Sequence, residues 1–158
     1  MLDAAVTART AEARGEGVAS FRLFPATEAE ARAAGDAHFF EGWEYYCTDR
    51  AHHPRSAKTF TWNSVDRLAA FDPFRFIGLI APRPLLMVVG TEAETKWMTE
   101  AAMASAQNPK ELLWIDGATH VGLYDRPEHV DPAAARIGTF FREALSWPNP
   151  FAPNRRHL

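Results

Sequence analysis

His120 lies in the stretch KELLWIDGATHVGLYDRPEHV, residues 110–130, just past an apolar run at 112–115 that stops at Asp116-Gly117. An imidazole changes charge near neutral pH, so one held at the end of a buried strand can take and return protons. A second apolar run, PLLMVVG at 84–90, is followed by GTEAET, which sets Glu92 and Glu94 in the loop beyond it and upstream of the histidine. Carboxylates there suit the positive end of the helix that comes next. Asp116 suits the exit turn of its run, and Asp125 the loop after the histidine. The adjacent pair His52-His53, and His120 with His129 nine residues on, do not have the spacing of ligands to one ion, so neither metal nor cofactor is expected. Cys47, in GWEYYCTDR, falls on a helical stretch and reads as an inert, partly buried thiol.

The elements around these residues follow from hydropathy. Unbroken apolar runs at 84–90 and 110–117 predict strands buried on both faces, the mark of a parallel sheet. Residues 95–107 have helix composition, and 131–147 predict a terminal helix with Pro132 in its first turn and Ile137, Phe140, Phe141 and Leu145 on one stripe. Strand, helix, strand, helix is an α/β pattern: a small parallel sheet with flanking helices. Its strands end on a shared edge where loop side chains gather.

Upstream, residues 2–14 predict a helix stopped by Gly15 and Gly17. Residues 18–25 are an extended piece or a packed loop. Residues 26–36 are a helix capped by Thr27 with Glu30 and closed at Gly35. Residues 37–48 are an aromatic helix and 49–61 a polar loop. Residues 62–82 form two helical pieces, the first capped by Asn63 or Ser64, the second with Pro73 in its first turn. The aromatics Phe39, Phe40, Trp43, Tyr45, Tyr46, Phe60 and Trp62 either line a substrate pocket or pack a core.

The chain of 158 residues is 47% apolar and 23% charged, ordinary for a globular domain. A net charge of -3 favours neither nucleic acid nor an anionic membrane as partner. One cysteine excludes an intrachain disulfide and fits the cytoplasm. Residues 1–17, with Asp3 and Glu12, do not read as a signal peptide, and no apolar run approaches the ~20 residues of a spanning helix. The basic cluster Arg155-Arg156-His157 reads as a solvated tail.

Residues 71–145 resemble the C-terminal part of an α/β-hydrolase, and among these the bacterial and fungal hydrolases related to dienelactone hydrolase. APRPLLMVVG resembles the penultimate core strand, and KELLWIDGATHVGLYD the last strand with its triad-histidine loop. The aromatic and HHPRS region before them resembles the lid such relatives insert. The resemblance implies a partial α/β-hydrolase fold: a helical lid-like region at 1–70, a core segment at 71–147 and a tail at 148–158. It implies His120 as catalytic base and Glu92 or Glu94 as the carboxylate orienting it, in the chain order nucleophile, acid, histidine. That order calls for a nucleophile in G-x-S-x-G. Ser20, Ser56, Ser64, Ser105 and Ser146 all lack the glycine frame, and no His-Gly-Gly-Gly-like oxyanion loop is present. Cys47 keeps the order but not the elbow. The expectation is an ester, lactone or acyl hydrolase present as a C-terminal fragment, inactive alone, with a small acyl or ester substrate. Two strands make a poor sheet, so a homo-oligomer or a complementing chain is expected. The alternative is a non-enzymatic oligomerising or partner-binding module.

Overall fold

The computed structural model describes residues 1–34 and 36–146. Gly35, Trp147 and the tail at 148–158, with its basic cluster, lie outside the described residues. The chain divides into two compact units, Met1–Pro73 and Phe74–Leu158.

The first unit begins with α1, Leu2–Ala13. Gly15 takes a φ of +81°, its N–H bonds to Glu12 O, and the Glu16 N–H reaches back to Ala11 O. This pair of bonds satisfies carbonyls that a helix end leaves bare, which is how the glycine ends α1. Residues 20–22 are extended as β1, Ser20–Arg22, and pair antiparallel with β2, Thr59–Thr61. The predicted loop at 49–61 therefore ends in a strand, and the unit is not wholly helical. Phe21 stacks on Phe60 across the ribbon and lies 4.3 Å from Trp62.

Helix α2, Glu28–Ala33, carries the predicted capping box: Thr27 Oγ1 accepts from the Glu30 N–H, and Glu30 Oε2 accepts from the Thr27 N–H. Helix α3, Ala37–Cys47, is capped by Asp36, whose Oδ1 accepts from Phe39 N. The two helices close on Phe24, Ala31 and Trp43, with Phe39, Phe40 and Cys47 packed around them. Phe39, Phe40 and Trp43 thus serve a core, and Tyr46 stacks on Phe24. Trp43 Nε1–H donates to Pro25 O at 3.1 Å. Trp43→Phe is expected to cost about 1–2 kcal/mol, because the carbonyl loses its donor in a part-buried place. Urea denaturation followed by circular dichroism measures it.

Trp62–Ser64 form a 3-10 turn leading into α4, Val65–Ala70. Ser64 stands at the N-cap of α4, one of the two predicted positions, but its hydroxyl donates to Thr61 O rather than capping the helix, and Asn63 Nδ2 donates to Glu12 of α1. Pro73 opens an irregular turn rather than a helix, and the second helical piece is one 3-10 turn, Ile77–Ile80, in the second unit.

The second unit is built on β3, Leu85–Gly90, and β4, Lys110–Ile115, paired in parallel with Leu85 opposite Lys110 and Gly90 opposite Ile115. Helix α5, Lys96–Ser105, connects them. The Lys110 ammonium donates to Met103 O and Ala106 O, so the first residue of β4 closes the C-terminal end of α5. Among the described residues β3 pairs with β4 alone. Leu85 to Val88 are half-buried, not buried on both faces as the unbroken run predicts.

After a short α6, Gly122–Asp125, the chain ends its described part in α7, Pro127–Ser146. The helix starts at Pro127, whose missing N–H costs nothing there. Pro132, predicted in the first turn, lies inside the helix at the cost of one hydrogen bond. Ala133 is buried, and Arg136, Phe140 and Ala144 continue its face half-buried. Ile137, Phe141 and Leu145, expected on the apolar stripe, form an exposed row instead.

Arg136 holds Glu111 of β4 with two side-chain hydrogen bonds, one of 2.6 Å from Nε to Oε1, and also reaches Glu143. Hydrogen bonds from Arg136 hold the Glu111 carboxyl below its ordinary value of 4.5. A carboxylate lowered on folding stabilises the fold above its unfolded value and loses that contribution as pH falls through the lowered one. Acidification below about pH 4.5 is therefore expected to lower the urea midpoint more steeply in wild type than in Glu111→Gln.

Candidate active site

Parallel pairing sends both strand exits to one edge, and backbone hydrogen bonds stitch the two loops together there. Thr91 N–H donates to Ile115 O, and Glu92 N–H to Ala118 O, each at 3.0 Å. Thr91 Oγ1 accepts from Gly117 N at 2.8 Å. Asp116 and Gly117 make the exit turn, with Gly117 at φ +67°, a conformation glycine adopts without strain. Ala118 is fully buried beside Ile115 and Ala133 of α7. A Cβ on Gly90 would lie 1.9 Å from Ala118 O, so the loops meet at contact distance only because residue 90 has no side chain.

Thr119 Oγ1 accepts from Gly122 N at 2.9 Å and fixes the first turn of α6. Between these anchors stands His120, half-buried. Its Nδ1 lies 3.0 Å from Thr95 Oγ1, at the end of the loop after β3. Its Nε2 lies 2.7 Å from the Tyr124 hydroxyl, and the two rings meet edge to face. Both ring nitrogens are thus engaged, so the imidazole's orientation is set on two sides.

The loop that supplies Thr95 also carries Glu92 and Glu94, and both have exposed side chains. Asp125 closes α6. Thr95 and Tyr124 are the residues that sequence reasoning missed. Tyr124 had a signal, since a residue four positions on in a helical turn returns to the same side. Thr95 had none beyond membership of the GTEAET loop.

The serines lie elsewhere: Ser20 in β1, Ser56 in a turn, Ser64 in the 3-10 turn, Ser105 ending α5 and Ser146 ending α7. None is on a strand-to-helix elbow. Cys47 ends α3 and packs on the Phe24 cluster. His53 Nδ1 accepts from Arg55 N within its own turn. Among the described residues no three of His, Cys, Asp and Glu group as ligands for a metal ion, and no helix is long and apolar enough to cross a membrane.

No family model matches the chain. It is 37% identical over 115 residues to the uncharacterized protein PA2218 of Pseudomonas aeruginosa, covering 70% of this chain and 30% of that one. It is 29% identical over 146 residues to the uncharacterized protein YcjY of Escherichia coli, covering 91% of this chain and 46% of that one. The chain thus spans less than half the length of these curated relatives. The crystal structure of PA2218 superposes with a TM-score of 0.77 at 31% identity, over 91% of this chain and 44% of that one. The crystal structure of the alpha/beta hydrolase GrgF from Penicillium sp. sh18 superposes with a TM-score of 0.64 at 13% identity, over 92% of this chain and 49% of that one. The chain therefore has a hydrolase-like α/β fold, with its parallel pair and histidine loop as described above.

Proposed function

We propose that this chain is the histidine-bearing part of an ester, lactone or acyl hydrolase of the α/β-hydrolase type, related to dienelactone hydrolase. His120 is its general base, and turnover requires a second part that carries the nucleophile and the oxyanion hole. The observation that carries this reading is the placement of His120 at the shared exit edge of two parallel strands, with its Nδ1 held by the loop after the preceding strand. A base that takes a hydroxyl proton on Nε2 needs its other nitrogen fixed so that the ring keeps one tautomer and one orientation. Thr95 fixes it here, and Glu92 and Glu94 stand on the same loop with exposed side chains. A hydroxyl already lies 2.7 Å from Nε2, within reach of proton exchange with that nitrogen. A need for a complement also fits the sheet: among the described residues β3 pairs with β4 alone, and the chain spans less than half the length of its relatives.

The test is reconstitution. The chain is coexpressed with the part of PA2218 that it does not match, and the purified pair is assayed with p-nitrophenyl esters. Turnover by the pair and not by either part alone is the expected result. A pair that forms and shows no more turnover than its separate parts refutes the reading.

A further inference from the structure

The group facing Nε2 of His120 is a phenol. A neutral imidazole has one donor nitrogen and one acceptor nitrogen. Of the two hydroxyls, the tyrosine is the stronger proton donor and the threonine the better acceptor. That matching puts the ring proton on Nδ1, toward Thr95 at 3.0 Å, and leaves the Nε2 lone pair facing Tyr124 Oη at 2.7 Å. Tyr124 is also reachable, with 43% of its surface exposed. It is not on a loose loop, because α6 is anchored by Thr119 on Gly122 and by Tyr124 N–H on Val121 O.

Resting on the reading of His120 as a base, we propose that Tyr124 is a nucleophile within this chain, accepting an acyl group from an activated ester. Tyrosine is among the side chains able to form covalent intermediates when a neighbouring base activates it. In the step, Tyr124 Oη attacks the acyl carbonyl carbon while its proton passes to His120 Nε2. The tetrahedral intermediate then collapses, the bond to the leaving aryloxide breaks, and the imidazolium returns the proton to that oxygen. The products are one O-acyltyrosine at position 124 and one phenol, with no redox change. Hydrolysis of the acyltyrosine is a separate step, so the signature is one acyl group per chain rather than turnover.

The chain contains three tyrosines, and Tyr45 and Tyr46 serve as internal references. The full chain is treated with p-nitrophenyl acetate, and acetylation is followed by intact mass and peptide mapping. Tyr124 is expected to acetylate at least about tenfold faster than Tyr45 or Tyr46. His120→Gln is expected to bring Tyr124 down to their rate, and Tyr124→Phe to remove the dominant label. Wild type unfolded in urea is expected to lose the preference, which tests the idea even if His120→Gln folds poorly. Equal labelling of all three tyrosines in folded wild type, or a preference that survives urea, overturns the proposal. Equal labelling beside an active reconstituted pair overturns it alone. Selective labelling of Tyr124 beside an inactive pair refutes the hydrolase reading while leaving the acyl-accepting tyrosine in place.

Discussion

Gly90→Ala is expected to detach the His120 loop from the end of β3 and to destabilise the second unit by about 3 kcal/mol or more. The added Cβ would sit 1.9 Å from the Ala118 oxygen and 2.5 Å from the Ala118 carbonyl carbon, well inside contact distance. Backbone is what it strikes, so no side-chain rotation relieves the overlap. Ala118 cannot retreat, because it is fully buried with Ile115 beneath it and Ala133 of α7 behind. The same carbonyl accepts the Glu92 N–H, so pushing it aside also breaks the tie between the loops. Urea denaturation measures the loss, and the NMR signals of the His120 ring report the detachment. A variant with the wild-type urea midpoint and unchanged His120 signals contradicts this account.

His120→Ala in the reconstituted pair is expected to lower kcat by about 10⁴-fold or more, the scale on which serine-type hydrolases lose rate without their base. The base acts on the proton moved in the transition state rather than on the bound ester, so KM should change far less. Stability should fall by only about 1–2 kcal/mol, because the backbone of Ala118 and Thr119 still hold the loop when the ring's hydrogen bonds to Thr95 and Tyr124 are lost. Steady-state kinetics on a p-nitrophenyl ester, paired with thermal denaturation, separates the two effects. A variant that keeps most of its kcat identifies another group as the base.

The parts of the fold legible in the sequence are those where one strong local signal acts. The runs at 84–90 and 110–117 predict strands, and Leu85–Gly90 and Lys110–Ile115 are strands, though most of their residues are half-buried. The capping box of Thr27 and Glu30 is local chemistry, and it forms as written. What escaped depends on distant partners. Residues 18–25 allow an extended piece, but the pairing of Ser20–Arg22 with Thr59–Thr61, both three-residue strands of mixed polarity, forms only because each finds the other. Two prolines near one helix start made Pro132 look like the first turn, when Pro127 holds that place. The apolar row of Ile137, Phe141 and Leu145 misled because periodicity gives a face without saying which face meets the sheet; the meeting face runs through the small Ala133 and the paired Arg136. In the site, His120 was legible from the strand before it, whereas its partner Thr95 is 25 residues away and visible only once the loops are brought together.

The ladder between β3 and β4 stops on a single rung, with Gly90 level with Ile115. Alternate residues of a strand point to opposite sides, so inserting or deleting one residue in either segment inverts every side chain beyond it. Such a change would also put a residue with a Cβ where the Ala118 carbonyl rests. Tolerance of length variation therefore falls to the surface joint between α5 and β4 and to the turn between α6 and α7. Homologous genes should show their gaps at those joints, with both strand segments conserved in residue count even where their residues differ.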